Sequence, residues 1–338
     1  MDSNFSYKKC IIITTINKPT EAIKKYSSIT GFDLIIVADK KTNVESYNNI
    51  NCIFLTLEKQ SDEFPEFSKL LPYNHYSRKN IGYLYAFKNN YDIIYDTDDD
   101  NIPFENWTSV LTNKYNNYEV SNCKFVNVYK FFSKLNIWPR GYPLNKVLEE
   151  NICNLNVTET TSDIAIVQGL VDCDPDVDAI FRLTSNDYNK NVVFDKNNKL
   201  FKLLDGTYCP ANTQNTYWIN KRFFYLLYIP SFVNFRFCDI LKMYIAQKFI
   251  QQDGYKLSFI EPFVFQERNE HNLLNDFKDE FEMHINVEKL ISLLESFSVN
   301  SHNDIIKFYK LLLDENIIKN VREIELLKEW INIIEKYI

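Results

Sequence analysis

YDIIYDTDDDN, residues 91–101, sets Asp96, Asp98, Asp99 and Asp100 directly after the apolar run Ile93, Ile94 and Tyr95. Carboxylates this close resist ionising together: at about 6 Å and an effective dielectric near 20, each pair repels by roughly 3 kcal/mol. A divalent cation offsets that repulsion, and a hard ion such as Mg²⁺ or Mn²⁺ takes one or two protein carboxylates together with the phosphates of a substrate. A solvated acidic turn is the alternative. The preceding strand weighs against it, because ligands of open α/β sheets collect beyond the carboxyl ends of the strands.

The rest of the composition narrows the class. The chain has 338 residues, 45% of them hydrophobic and 15% aromatic, enough for one large core or a core with an appendage. A net charge of -7 leaves no general basic footprint for nucleic acid. No apolar run approaches the roughly 20 residues of a membrane span, and FFYLLYIPSFVNFRFCD is broken by Pro230, Asn234 and Arg236. CIIITTI is too short and wrongly flanked for a signal peptide, so a cytoplasmic or otherwise non-secreted protein is expected. Seven scattered cysteines form no C-x-x-C pair, which argues for reduced core thiols over zinc or disulfides. The six glycines assemble neither G-x-G-x-x-G nor a Walker A loop, so any phosphate must be held by a metal and individual basic side chains.

Strand and helix signals alternate through the first hundred residues. Cys10 to Thr15, Leu34 to Val37 and CIFLTL read as strands; Pro19 opens a helix carrying Ile23, Tyr26 and Ile29. Ser77 reads as the N-cap of a helix with Ile81, Leu84 and Tyr85 on one face. This alternation predicts an α/β fold with a mostly parallel central sheet. Later strand candidates are Phe125 to Tyr129 and Ile164 to Val167, and Arg236 to Gln252 is periodic as a helix packing one face. From about residue 276 the chain turns to Leu, Ile, Glu and Lys at helical spacing. Residues 1–275 are therefore expected as the main domain and 276–338 as a helical appendage that covers the core or serves self-association as a homo-oligomer.

TTINKPTEAI, SRKNIGYLYA, IYDTDDDN, WPRGYPL, QGLVDCDPDVDAIFRLT, PANTQNT, FRFCDILKMYIAQ and QERNEHN resemble, in order, the motifs of the STELLO-like glycosyltransferases over roughly residues 10–275. A fainter likeness runs to the reversibly glycosylated polypeptides, which include UDP-arabinopyranose mutases. The resemblance implies a GT-A fold, a nucleotide-sugar-binding α/β sandwich, with Mn²⁺ or Mg²⁺ and a UDP-sugar as donor and an unidentified glycan or protein as acceptor. STELLO-like proteins are commonly larger and membrane-anchored, so their location does not transfer to this chain.

In GT-A enzymes a D-x-D after a sheet strand ligates the metal that bridges the two phosphates. Asp96-Thr97-Asp98 and Asp98-Asp99-Asp100 compete for that role; the D-D-D likeness favours the second, with Asp98 and Asp100 as ligands and His271 as a further candidate. Asp39 is placed to accept the uracil N3–H, or else to cap a turn. Thr14, Thr15, Asn17 and Lys18 are candidates for the nucleoside pocket and equally fit an ordinary turn. Arg78 and Lys79 begin a helix, where cations oppose the macrodipole, which diphosphate binding explains better than helix stability does. Asp174, Asp176 and Asp178, with Arg182, are candidates for sugar hydroxyls or a surface turn. Arg236 precedes a helix whose first turn holds Asp239, a candidate base for the acceptor hydroxyl or a helix cap. Arg140 matches the position that carries the sugar in reversibly glycosylated polypeptides, which keeps a mutase or self-glycosylating activity open. It equally suits a phosphate or carboxylate. A non-catalytic binding protein is the third reading.

Overall fold

A computed structural model describes residues 7–185, 191–267 and 272–337. The N-terminal half runs β1 (Lys9–Thr15), α1 (Glu21–Tyr26), β2 (Asp33–Ala38), β3 (Ile53–Leu55), α2 (Leu57–Glu63), α3 (Pro65–Leu70), α4 (Lys79–Lys88), β4 (Ile93–Thr97), β5 (Asn101–Pro103) and β6 (Asn116–Ser121). It continues with β7 (Asn154–Thr158), β8 (Ile164–Cys173), α5 (Ala179–Thr184), β9 (Lys199–Leu203), β10 (Asn215–Trp218), α6 (Cys238–Gln252) and β11 (Lys256–Gln266). The chain closes with α7 (Leu273–Ser296), α8 (Asp304–Asp314) and α9 (Arg322–Ile334).

These strands form one mixed sheet ordered β3-β2-β1-β4-β10-β8-β11-β9-β6-β7, with β5 on β11. Ladders are parallel from β3 through β4, between β8 and β11, and between β6 and β9, while β10 runs antiparallel to both β4 and β8. The expected α/β class therefore holds. Alternation along β1 shows how the layers form: Cys10 and Ile12 face the core under α4 and α6, and Ile11 and Ile13 face the opposite core with Ile23, Tyr26 and Trp107. Gly82 lets α4 lie close on the sheet, since a Cβ there would meet Ile12 Cγ2 at 2.6 Å and Val37 Cγ2 at 2.8 Å.

Several local expectations are corrected. The helix before β4 is not capped by Ser77; it starts at Lys79 after a 3-10 turn over Tyr76–Arg78, whose cap is the His75 ring accepting from Ser77 N. Phe125 to Tyr129 is not a strand. Asn127 accepts from Tyr129 N at 3.2 Å and donates to Ile137 O at 2.8 Å, so a side chain takes the backbone bonds a ladder would need. Helix α6 is buried on all sides rather than one, including Asp239, Lys242 and Gln247. All seven cysteines are free, three of them buried.

The C-terminal helices share the main core: Met283, Val287 and Leu290 of α7 and Leu327 and Trp330 of α9 pack with residues of α4 and α6. Glu323 of α9 is fully buried and accepts from Tyr228 Oη, Ser231 N at 2.9 Å and Phe232 N at 2.7 Å, clamping the segment before α6. Among the described residues, no helix is long and apolar enough to cross a membrane.

Burial pushes the Glu323 carboxyl up to about 7 from an ordinary 4.5, against the pull of those three donors. The native state thus holds this proton more tightly than the unfolded chain, and its contribution to stability is lost as pH rises from about 4.5 through 7. Between pH 5 and 8 the unfolding free energy of the wild type should fall by about 2 kcal/mol more than that of Glu323→Gln, measured by denaturant titration. Equal pH slopes would refute this.

Candidate functional site

The carboxyl ends of β1, β2 and β4 open at one edge, because the three strands are parallel neighbours. Two adjoining chambers occupy that edge. One, about 320 Å³, is lined by Thr14, Thr15, Asn17 and Asp39; the other, about 230 Å³, by Arg140, Asp174, Asp176, Arg236 and Asp239. Tyr76, Asp98, Asp100, Phe235 and Gln266 line both, so the aspartates stand at the waist of a single cleft.

The last residues of β4 fix this waist from below. Asp96 is fully buried and paired with two ammonium groups, Lys79 Nζ at 2.7 Å and Lys242 Nζ at 3.2 Å, and Tyr83 Oη donates to it at 2.6 Å. It is thus an internal ion-pair hub between α4 and α6, with no face on the cleft. Lys79 Nζ continues to Thr97 O at 2.6 Å and Asp98 Oδ1 at 3.2 Å, and Tyr76 Oη donates to the same Asp98 oxygen at 2.7 Å. Asp99 turns the other way, accepting from Thr15 Oγ1 and from Asn17 Nδ2 at 2.9 Å, while its carbonyl accepts from Thr20 Oγ1. Asp100 Oδ2 accepts from Gln266 Nε2 at 2.7 Å.

Burial raises the Asp98 carboxyl above the ordinary range, against the opposing pull of Lys79 and Tyr76. Asp100 is pushed up to about 7, first by burial and then by the charges of Asp98 and Asp99. Two half-buried carboxylates held in this state fit a divalent cation, whose charge would offset both the burial and the mutual repulsion. Among the described residues, no group of three or more His, Cys, Asp or Glu side chains is arranged as a metal cage. Two carboxylates plus phosphate oxygens is the donor set Mg²⁺ accepts.

In the 320 Å³ chamber, Asp39 does cap a turn. Its Oδ1 accepts from Lys40 N at 2.7 Å and its Oδ2 from His75 N at 3.2 Å, yet the residue still lines the chamber. Carboxylate oxygens keep a second lone pair each, so the turn role and a ligand role are compatible. Thr14 bonds to Val37 O at 3.2 Å, and Lys18 is exposed and lines neither chamber.

Arg78 is not brought to the cleft. It is fully buried, donating to Gln60 Oε1 and, at 3.1 Å, to Ser68 Oγ beneath the Tyr73 ring. Lys79 lies under the cleft floor, where it pairs with Asp96 and Asp98.

The opposite chamber is walled by ion pairs. Arg140 Nε and Nη2 bond Asp176 at 2.7 and 2.9 Å, and its Nη2 and Nη1 bond Asp239 at 2.9 and 3.2 Å. Both carboxylates hold the guanidinium, raising it well above its ordinary value against the cost of burial. Burial would raise Asp176, but Arg140 and an Asn212 bond bring it below the carboxylate range. Gly141 makes this placement possible: its φ of +85° suits glycine, and a Cβ would meet Ile240 Cγ2 at 2.6 Å. Arg182 pairs with Asp174 at 2.7 Å and Arg236 with Asp276 of α7 at 2.6 Å. Asp178 lies away from the cleft, capping α5 through Phe181 N and accepting from Trp138 Nε1 at 2.6 Å. His271 lies outside the described residues.

The sequence reading gave no role to Tyr76, Phe235, Asn212, Thr213, Gln214 or Gln266. Most stand inside the quoted motifs, but polar and aromatic residues on loops carry no periodic signal that would assign them a face.

Residues 236–336 match the family model of the STELLO glycosyltransferases. The chain is also 27% identical over 332 residues to Probable glycosyltransferase STELLO2 and STELLO1 of Arabidopsis thaliana, covering 92% of this chain. It spans 42% and 41% of their lengths. Among solved structures, glucosyl-3-phosphoglycerate synthase of Mycobacterium tuberculosis with Mn²⁺, UDP-glucose and phosphoglyceric acid overlaps 87% of this chain and 82% of its own, at 11% identity and a TM-score of 0.43. Another structure of that enzyme, with phosphoglyceric acid, overlaps 85% and 80% at a TM-score of 0.42. Overlap this loose transfers no residue roles.

Neutralising one aspartate should have opposite effects at the two levels of the site. Asp96→Asn leaves two buried ammonium groups short of a counter-charge and should cost about 3–5 kcal/mol of stability. Asp100→Asn relieves repulsion and should leave the unfolding free energy unchanged or higher. Equal destabilisation in denaturant titrations would overturn this division.

Proposed function

We propose that the chain is a metal-dependent glycosyltransferase of GT-A type that uses a nucleotide sugar, with a uridine diphosphate sugar as the donor. The observation that carries this reading is the placement of Asp98 and Asp100 at the waist of the cleft, next to the carboxyl ends of three parallel strands. The match to the STELLO glycosyltransferases supports the same class.

In this reading Asp98 and Asp100 hold the cation, which when bound would neutralise charge on the diphosphate leaving group. Tyr76 and Lys79 fix the orientation of Asp98, and Gln266 that of Asp100. Thr14, Thr15 and Asn17 line the nucleoside chamber, where Asp39 accepts the N3–H of uracil. Asp174, Asp176, Arg236 and Asp239 line the reacting end. A base role for Asp239 requires the carboxylate to keep an acceptor lone pair beyond those engaged by Arg140. Self-glycosylation on Arg140 would first require its nitrogens to leave both Asp176 and Asp239.

Uridine diphosphate should stabilise the protein strongly with Mn²⁺ and weakly with chelator, by about 2.7 kcal/mol at a hundredfold excess over Kd. Equal melting shifts in both conditions would refute the metal bridge. Asp100→Asn should lower Mn²⁺-dependent hydrolysis of the preferred nucleotide sugar by at least about 10²-fold while the protein stays folded. Wild-type hydrolysis by this variant would move the metal site elsewhere.

A further inference from the structure

Resting on the reading above, we infer that the 230 Å³ chamber beside Asp98 and Asp100 receives an uncharged polyhydroxylic acceptor, a sugar or glycoside, and rejects phosphorylated or carboxylated ones.

Among the described residues the chamber contains three guanidiniums, and each is already held by carboxylate. Arg140 is gripped from two sides by Asp176 and Asp239, Arg182 by Asp174, and Arg236 by Asp276. Their side chains are only 8, 14 and 22% exposed, so none extends into the space as a spare cation. With Asp98 and Asp100 the wall carries six carboxylates against three guanidiniums among the described residues, a formal balance of −3 that one divalent cation brings to −1. An incoming phosphate would have to displace a carboxylate from its arginine and would leave that carboxylate unpaired in a partly desolvated place, which is costly. Anions are thus opposed by the field and by the geometry together.

The same wall suits hydroxyl groups. Carboxylates accept from them, while Asn212, Thr213 and Gln214 contribute further donors and acceptors. Asn212 already bonds Asp176 at 2.8 Å and Gln214 bonds Gln266, so these planar amides are held in place before any ligand arrives. Phe235 lines the same chamber, 58% exposed and perpendicular to Tyr76 with ring centroids 5.9 Å apart. An exposed aromatic ring in the wall of a polar chamber suits the C–H face of a pyranose, whose hydroxyls point to the rim. A phosphate or carboxylate gains nothing from that ring. The volume also lies below the roughly 300 Å³ at which drug-sized pockets begin, which fits one sugar unit at a time.

The test separates this inference from the reading on which it rests. Protein with Mn²⁺ and uridine diphosphate, and protein without them, are titrated with a panel of methyl hexosides and pentosides and with the corresponding sugar phosphates, using saturation-transfer NMR. Neutral glycosides should bind at least about tenfold more tightly than their phosphates, and Phe235→Ala should weaken the neutral ligands severalfold on the unloaded protein as well as on the loaded one. Asp174→Asn, which releases Arg182, should narrow the gap severalfold by admitting the phosphates. Tighter or equal binding of the phosphates, or no binding of any neutral sugar, overturns the inference. Failure of uridine diphosphate to bind overturns the nucleotide-sugar reading alone, because the panel on the unloaded protein still reports the discrimination between neutral and anionic ligands.

Discussion

Asp96 shared between Lys79 and Lys242 is the interaction from which the rest of the cleft is hung. Three charges with no exposure to solvent would be prohibitive singly, and they persist because the ammonium groups arrive from α4 and α6 on one side of the sheet and meet a single carboxylate at the end of β4. The arrangement fixes both helices and the strand end together. Once β4 is pinned at Asp96, the next three carboxylates have no freedom to choose partners. Asp98 falls against Lys79 and Tyr76, Asp99 is drawn to the β1 loop by Thr15 and Asn17, and Asp100 is left beside Gln266 at the end of β11.

The electrostatics of the two chambers follow from that distribution. Asp99 is consumed in joining β1 to β4, which leaves Asp98 and Asp100 as the charged groups common to both chambers. Beyond them the second chamber's four carboxylates, Asp174, Asp176, Asp239 and Asp276, are held by its three arginines. The C-terminal helices take part in this: α7 supplies Asp276 to Arg236 and Glu280 to the N-terminus of α5, and α9 clamps the segment that leads to Phe235 through Glu323. Side chains from the last third of the chain thus help to shape a site whose charged centre lies near residue 98.

Patterning in the sequence was sufficient for the N-terminal alternation of strands and helices, because β1, β2 and β4 are continuous apolar runs whose burial on both faces leaves no other reading. It was sufficient for the acidic turn after β4 as well, since strand followed by clustered carboxylate is a local feature. It did not anticipate β9 to β11 or the antiparallel insertion of β10, whose Thr216 pairs with both Asp96 and Gln168, residues far from it in the chain. Ser77 misled for a related reason: its preference for caps was real, but the groups it meets, His75 and Ser231, were set by the fold, and the strand expected over Phe125 to Tyr129 gave way because Asn127 found Ile137 O there.

What the sequence by itself determined, then, was the α/β class and the existence of an acidic centre at a strand's end, both of which follow from periodicity and from charge density within a few residues. Only the tertiary structure decided which carboxylate serves which purpose. Asp96 and Asp98 sit two residues apart and are chemically identical, yet one is an interior counter-ion and the other lines a cleft, because Lys242 approaches from 146 residues away. Arg78 and Arg140 were equal candidates for anions until packing buried the first against Gln60 and gave the second to Asp176 and Asp239. A side chain's charge is written in the sequence, but its partner is set by three-dimensional proximity, and at a few ångströms in a poorly solvated interior the partner decides its function.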